Sequence, residues 1–407
     1  LGDVYKRQEL KSGGCITEKT VKKTEKILEP MSKLAKDFTI IHVGHAHIDM
    51  NWMWGYHETV AVTLDTFRTV LDLMEEYPEF TFAQSQASVY KIVEEHHPKM
   101  LESIKKRVKE GRWEITASTW VEADKNMPNT ESLVRHILYT KQYLSDLFKF
   151  DKEYLMIDFE PDTFGHSKFI PTILQVGGVK YYYHCRGYDK EVAYRWRSPS
   201  GEILVYREPF WYNGLPTSDM ALYAVEFFKT YGSKYALKVY GVGDHGGGPT
   251  RRDIEKILRM KEYPIYPNVK FGTYREFFKR LEDVKNKLPI VEGELNFIFD
   301  GCYTTQSRIK MANRLSEAAI EETEKFLVFS NLLSGYEYPT EKIKEAWINI
   351  LFNHFHDIIP GSGVTETREY AMGLFQKTMA ILLSQKKNSL YEIALNIDTQ
   401  NLIKNGN

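Results

Sequence analysis

Between residues 37 and 301 short apolar runs alternate with stretches whose apolar residues recur every three or four positions. That alternation constrains the fold more than any other feature. Parallel strands can be joined only by a crossover long enough to hold a helix, so the pattern predicts an α/β layer on a mostly parallel sheet. Strands are predicted at 38–43, 80–83, 112–116, 154–158, 180–184, 203–206 and 237–242. Helices are predicted at 60–74, 89–110, 131–148 and 169–175, with another after Thr250, where Thr250 and Asp253 are spaced for a reciprocal cap. Past residue 305 only helical periodicity remains. Residues 307–333, 341–355 and 366–397 predict three long helices with short links, an antiparallel bundle. The domains expected are 37–304 and 305–398.

Composition narrows the function. Hydrophobic residues are 43% and charged residues 27%, as in an ordinary globular chain, and the formal net charge of −1 points to neither a nucleic acid nor a membrane surface. Aromatic residues reach 14%, which suits ring-faced ligands. Three widely spaced cysteines, Cys15, Cys185 and Cys302, give no disulfide framework, so a reducing, cytoplasmic setting is expected. No apolar run has the length of a membrane span. The chain opens on Leu1, and residues 1–8 fit nothing downstream, so a truncated or spurious start is expected.

Four stretches could carry chemistry. The first strand runs into His45, His47 and Asp49, spaced by two. On an extended chain these share a face, and two imidazoles with a carboxylate can hold a borderline metal. The alternative is ordinary histidines at the end of a buried strand. Trp52 and Trp54 follow at once. In the second stretch, Asp162 follows a strand and Pro161, where α/β folds bind ligands. It reads either as a turn or N-cap aspartate or as a nucleophile or metal ligand. The third, Gly243-Asp244-His245-Gly246-Gly247-Gly248, lacks the Lys-Ser/Thr of a P-loop and reads as a plain turn or as the carrier of a general acid. The fourth is His356-Asp357 before Pro360-Gly361, either a helix-end histidine favoured by the dipole or a ligand.

Together these motifs resemble the class II α-mannosidases, glycoside hydrolase family 38, of the microbial and cytosolic kind. The residues that carry the resemblance are His45-Ala46-His47-Ile48-Asp49-x-x-Trp52-Met53-Trp54, Trp120-Val121-Glu122-x-Asp124-x-Asn126-x-Pro128 and Pro161-Asp162-x-Phe164-Gly165-His166-Ser167. They continue with Gly243-Asp244-x-Gly246-Gly247-Gly248-Pro249-Thr250, Gly293-Glu294-Leu295, Gly301-Cys302-Tyr303-Thr304-Thr305 and His356-Asp357, in family order over about four fifths of the chain. Two positions depart from the pattern: His245, where many relatives have Gly, and Asp300, where a basic residue is common.

The resemblance implies a seven-stranded, mostly parallel, barrel-like α/β catalytic domain followed by the three-helix bundle. It also implies a retaining exo-α-mannosidase that removes terminal non-reducing α-D-mannose from oligosaccharides through a covalent glycosyl-enzyme. Zinc, with cobalt or manganese as substitutes, would be held by His47, Asp49, Asp162 and His356. Asp162 would also be the nucleophile and Asp244 the acid/base, with Trp52 and Tyr303 on the sugar and Trp54 either a helper there or a core residue. Two carboxyls roughly 5–5.5 Å apart are what such chemistry needs. The partner expected is a mannose-containing oligosaccharide, with no nucleic acid and no membrane; a homo-oligomer is open. Family members continue into β-sandwich domains, so a fragment is expected. The rival readings are a zinc-dependent carbohydrate deacetylase, which would need a metal-bound water as nucleophile, and a sugar- or metal-binding piece without turnover.

Overall fold

The structure is a computed structural model that describes residues 16–296 and 299–399; Cys15 lies outside them. In chain order the strands are β1 (Thr39–His45), β2 (Phe82–Gln84), β3 (Trp113–Ile115), β4 (Ile157–Glu160), β5 (Tyr181–His184), β6 (Ala193–Ser198), β7 (Gly201–Arg207), β8 (Tyr235–Tyr240), β9 (Asn268–Phe271) and β10 (Ile290–Glu292). They form two five-stranded sheets. One runs β3-β2-β1-β8, all parallel, with β9 on the first half of the β1 edge that β2 continues. The other runs β10-β6-β7-β5-β4 and is parallel except between β6 and β7.

Alternate residues of both sheets meet in one core. Ile41 and Val43 of β1, Ile157 and Phe159 of β4, Tyr181 and Tyr183 of β5, Leu204 and Tyr206 of β7, and Leu237 and Val239 of β8 belong to a single buried cluster. The intervening Ile40 and Phe82 turn to a second core beneath the helices. Strands buried on both faces must be apolar throughout, which is why β1 reads as a continuous run.

Three expectations change. The seven strands do not form one hydrogen-bonded ring among the described residues, since no ladder joins β3 to β4 or β7 to β8. β6 was not expected at all, because Arg195 and Arg197 interrupt its apolar residues; it exists as the antiparallel partner of β7. The single helix over 89–110 is two, Ala87–His96 and Pro98–Lys109. Pro98 has no N–H for the helix to use, and His97 Nδ1 accepts the Met100 N–H to cap the second helix. The capping box at Thr250 and Asp253 forms as read.

The bundle helices are Ser307–Ser334, Thr340–Asn353 and Thr365–Leu395. Trp347 Nε1 donates to Glu324, and the His354 ring meets Asn313, so the second helix runs against the first. Lys310 reaches the Pro360 carbonyl, and Thr323 the Leu382 carbonyl, so the third runs with the first. Glu317 docks the bundle on the α/β layer. Its carboxylate accepts from the Asn129 N–H at 2.8 Å and the Ser132 hydroxyl at 2.9 Å, at the N-terminus of the helix Thr130–Phe148.

Candidate active site

β1 stops at His45, so His47 and Asp49 owe their positions to what the chain does next rather than to strand alternation. Ile48 forms an antiparallel bridge with His245, and the Asp49 N–H donates to the Asp244 carbonyl at 3.1 Å. The segment 46–49 therefore lies along the glycine loop that follows β8. Gly246, Gly247 and Gly248 all have positive φ, and a Cβ on Gly246 would strike the Thr66 hydroxyl. Asp244 shares the left-handed region at φ 65°, a conformation that costs a non-glycine residue about 1–3 kcal/mol. Its Oδ1 accepts from the Tyr212 hydroxyl at 2.8 Å.

Asp162 follows β4 and Pro161. Its Oδ1 pairs with Arg186 Nε at 2.5 Å, and its Oδ2 lies 3.9 Å from His356 Nε2. Arg186, just past β5, spreads its guanidinium over the Trp211 ring, 4.6 Å from the centroid. Below the Asp162 loop, Lys125 is buried between Asp158 at 3.0 Å and Glu160 at 2.7 Å.

His356 comes from the turn after the second bundle helix. Its Nδ1 donates to the Glu122 carbonyl at 2.8 Å, which leaves Nε2 near Asp49 Oδ1 at 3.5 Å and Asp357 Oδ2 at 3.6 Å. His47 Nδ1 lies 2.9 Å from Glu122 Oε2, and its Nε2 2.9 Å from Asp49 Oδ1. Burial works to lower both imidazoles. For His47 it is overcome by Glu122 and Asp49, and the ring is raised well above its usual value. For His356 it is overcome by Asp49, Asp357 and Asp162, and the ring is pushed up to about 10. The pocket thus favours positive charge.

A cation fits this set on geometry as well. His47 Nε2, Asp49 Oδ1 and His356 Nε2 are buried, close together and in no well-angled hydrogen bond. His47, Asp162 and His356 each offer a ligand atom within 4.8 Å of the others, as do Asp49, His356 and Asp357. Nitrogen and carboxylate donors of this kind suit zinc and its neighbours.

Above the pocket opens a cleft of about 360 Å³ whose wall includes Asp49, Trp52, Asp162, Asp244 and Asp357. Residues read from the sequence are therefore brought together from the ends of β1, β4 and β8 and from the bundle. Two others are not part of the cleft wall. Trp54 is 5% exposed, bonds through Nε1 to Thr59 and packs on His245 at 4.3 Å. Tyr303 accepts from Asn126 Nδ2 at 3.0 Å. Arg186, Trp211 and Tyr212 line the cleft and were not anticipated. Asp357 was signalled only by its place beside His356, and Glu122 only by the Trp120-Val121-Glu122 motif.

Residues 37–294 match the family model of the Glycosyl hydrolases family 38 N-terminal domain, and residues 298–393 that of the Alpha mannosidase middle domain. The chain belongs to glycosyl hydrolase family 38. Alpha-mannosidase G of Dictyostelium discoideum is 31% identical over 373 residues, 88% of this chain and 34% of that protein. Alpha-mannosidase 2C1 of Homo sapiens is 30% identical over 346 residues, 82% of this chain and 33% of its own length. The chain thus spans about a third of the curated relatives it matches. Among solved structures, an alpha-mannosidase from Enterococcus faecalis V583 superposes with a TM-score of 0.77 at 22% identity, over 89% of this chain and 43% of that one, and shares the fold. Within this family 38 fold, both matched regions contribute to one site: His47, Asp49, Asp162 and Asp244 come from the first and His356 from the second.

Proposed function

We propose that this chain carries the catalytic unit of a metal-assisted retaining exo-α-mannosidase acting on terminal α-D-mannose of oligosaccharides. The observation that carries the reading is the pair Asp162 and Asp244 on one cleft wall, over a buried His47, Asp49 and His356 pocket that favours a cation. His47, Asp49, Asp162 and His356 would hold zinc, cobalt or manganese. A bound cation would supply Lewis-acid binding of the sugar's vicinal hydroxyls.

The chain's own groups do the rest. Trp52 offers a ring face to the sugar, and Arg186 orients the Asp162 carboxylate. Asp162 attacks the anomeric carbon as Asp244, held by Tyr212, gives its proton to the departing glycosidic oxygen. Asp244 then takes a proton from the water that attacks the same carbon, and the bond to Asp162 breaks. A second carboxyl on the wall argues against the deacetylase reading, which needs no such acid beside a nucleophilic ligand. The catalytic region is assigned to 37–304 and the bundle to 305–398. Unpaired Cys185 and Cys302 accord with a cytoplasmic setting, and among the described residues no helix is long and apolar enough to cross a membrane.

The test is release of 4-nitrophenol from 4-nitrophenyl α-D-mannoside with zinc, after chelation, and in Asp162→Asn and Asp244→Asn. Turnover that depends on metal and on both aspartates is expected. Turnover that survives chelation or Asp162→Asn would overturn the reading.

A further inference from the structure

Behind His356, two more histidines meet across the junction between the α/β layer and the bundle. His136, on the helix Thr130–Phe148, and His354, at the end of the second bundle helix, are both fully buried, and their rings face each other at 3.2 Å from Nε2 to Nδ1. The direction of every hydrogen bond in this group is fixed by its ends. The Trp120 N–H can only donate, so His136 Nδ1 accepts it at 3.2 Å. A neutral imidazole with an accepting Nδ1 carries its proton on Nε2, so His136 donates to His354 Nδ1. His354 then carries its own proton on Nε2 and donates to Asn313 Oδ1 at 2.7 Å, on the first bundle helix. Each ring nitrogen is used once, and the chain of bonds runs one way from the α/β layer into the bundle.

The same backbone stretch that starts this relay also grips His356. The Asp124 N–H donates to the His354 carbonyl at 2.9 Å, and Ala123 bridges Phe355. The Glu122 carbonyl accepts both the His356 N–H at 3.2 Å and His356 Nδ1 at 2.8 Å. Residues 120–124 therefore hold the segment 354–356 by its backbone, and the two rings tie that segment to helices on either side.

We propose that His136 and His354 are positioning residues: their one-way relay fixes the segment that presents the His356 imidazole to the cation pocket. The inference rests on the reading of that pocket as a metal site. His354→Leu breaks the relay at its centre and strands the His136 Nε2–H and Asn313 Oδ1. His354→Gln preserves the order, since an amide oxygen accepts from His136 and its NH2 donates to Asn313. A residue that only filled space would not distinguish the two.

The experiment uses the whole chain, freed of metal, with zinc alone as the probe. Affinity is measured by competition against a chromophoric chelator, and the melting temperature of each metal-free variant is recorded beside it. Zinc affinity in His354→Leu is expected to fall about tenfold or more, as when groups that orient a metal-bound imidazole are lost, and to return in His354→Gln. Should His354→Leu fail to fold, Asn313→Leu removes only the last acceptor and is expected to weaken zinc in the same direction. A folded wild-type chain that binds no zinc would overturn the metal reading, and the inference with it. Wild-type binding with affinity retained within about twofold in the leucine variants would overturn the relay alone. Equal losses in the leucine and glutamine variants at 354 would reduce the ring to a space-filler and also overturn it.

Discussion

Glu122 Oε2 lies 2.9 Å from His47 Nδ1, and the carbonyl of the same residue accepts from His356 Nδ1 at 2.8 Å. One residue thus contacts both imidazoles of the pocket: its carboxylate pairs with the first, and its backbone carbonyl accepts a hydrogen bond from the second. The Ser85 hydroxyl donates to the other carboxylate oxygen, so Glu122 is itself held. Glu122→Ala is expected to weaken zinc binding about 10- to 100-fold, because only the His47 ring loses its orienting partner. Chelator competition measures this. An unchanged affinity in a folded variant would mean that the pocket fixes His47 by packing alone.

Lys125 is the counter-charge for the floor of the Asp162 loop. Asp158 and Glu160 are fully buried, and Lys125 contacts both, with Ser118 and Thr163 completing their hydrogen bonds. Removing one member of a buried ionic group strands the others in a medium that penalises charge. Lys125→Met is expected to cost about 3–5 kcal/mol in denaturant unfolding. A loss below about 1 kcal/mol, the range of an exposed ion pair, would show that water reaches these carboxylates.

Glu208 gives the fold a pH dependence of known sign. Burial raises its carboxyl to about 7, against the opposing effects of Lys238, the Phe210 N–H and the Tyr183 hydroxyl. The folded value lies above the unfolded value near 4.5, so the folded state holds this proton more tightly. Its contribution to stability is present below pH 4.5 and is lost as pH rises through 7. Glu208→Gln has nothing to ionise. The variant's stability relative to wild type should therefore rise by about 1–3 kcal/mol between pH 4.5 and 7.5, read from urea unfolding at each pH. A flat difference would mean that Glu208 ionises as freely folded as unfolded.

The parts of this molecule that were legible in the sequence are those whose cause is local. The β-branched run of β1, the Thr250 and Asp253 capping box and the three long bundle helices depend on neighbours within a few positions. What escaped depends on contacts distant in sequence. β6 is a strand because β7 pairs with it, and its arginines both form ion pairs with Glu202 across the hairpin. Arg186 and Tyr212 reach the cleft only because the second sheet brings the chain after β5 and β7 beside Asp162 and Asp244. The motif residues 47, 49, 162, 244 and 356 were readable as a set, and Trp52 as a ring for the sugar, but Trp54 read either as a helper there or as a core residue, since spacing alone does not separate a solvent-facing ring from a buried one.

That separation can be measured. Trp52 is half-buried on the cleft wall, and its carbonyl accepts the Val364 N–H at 2.8 Å, a bond that any side chain at this position would keep. Trp52→Ala should thus remove a ring face from the proposed sugar site and raise KM for 4-nitrophenyl α-D-mannoside, with the melting temperature nearly unchanged. Trp54 is enclosed, bonded through Nε1 to Thr59 and packed on His245. Trp54→Ala leaves a cavity the size of an indole and should cost about 3–5 kcal/mol of stability. Any loss of activity in that variant should follow its folded fraction and leave KM alone. A rise in KM for Trp54→Ala at full folding would instead make Trp54 part of the sugar site, reached through Trp52, whose ring lies 5.9 Å away.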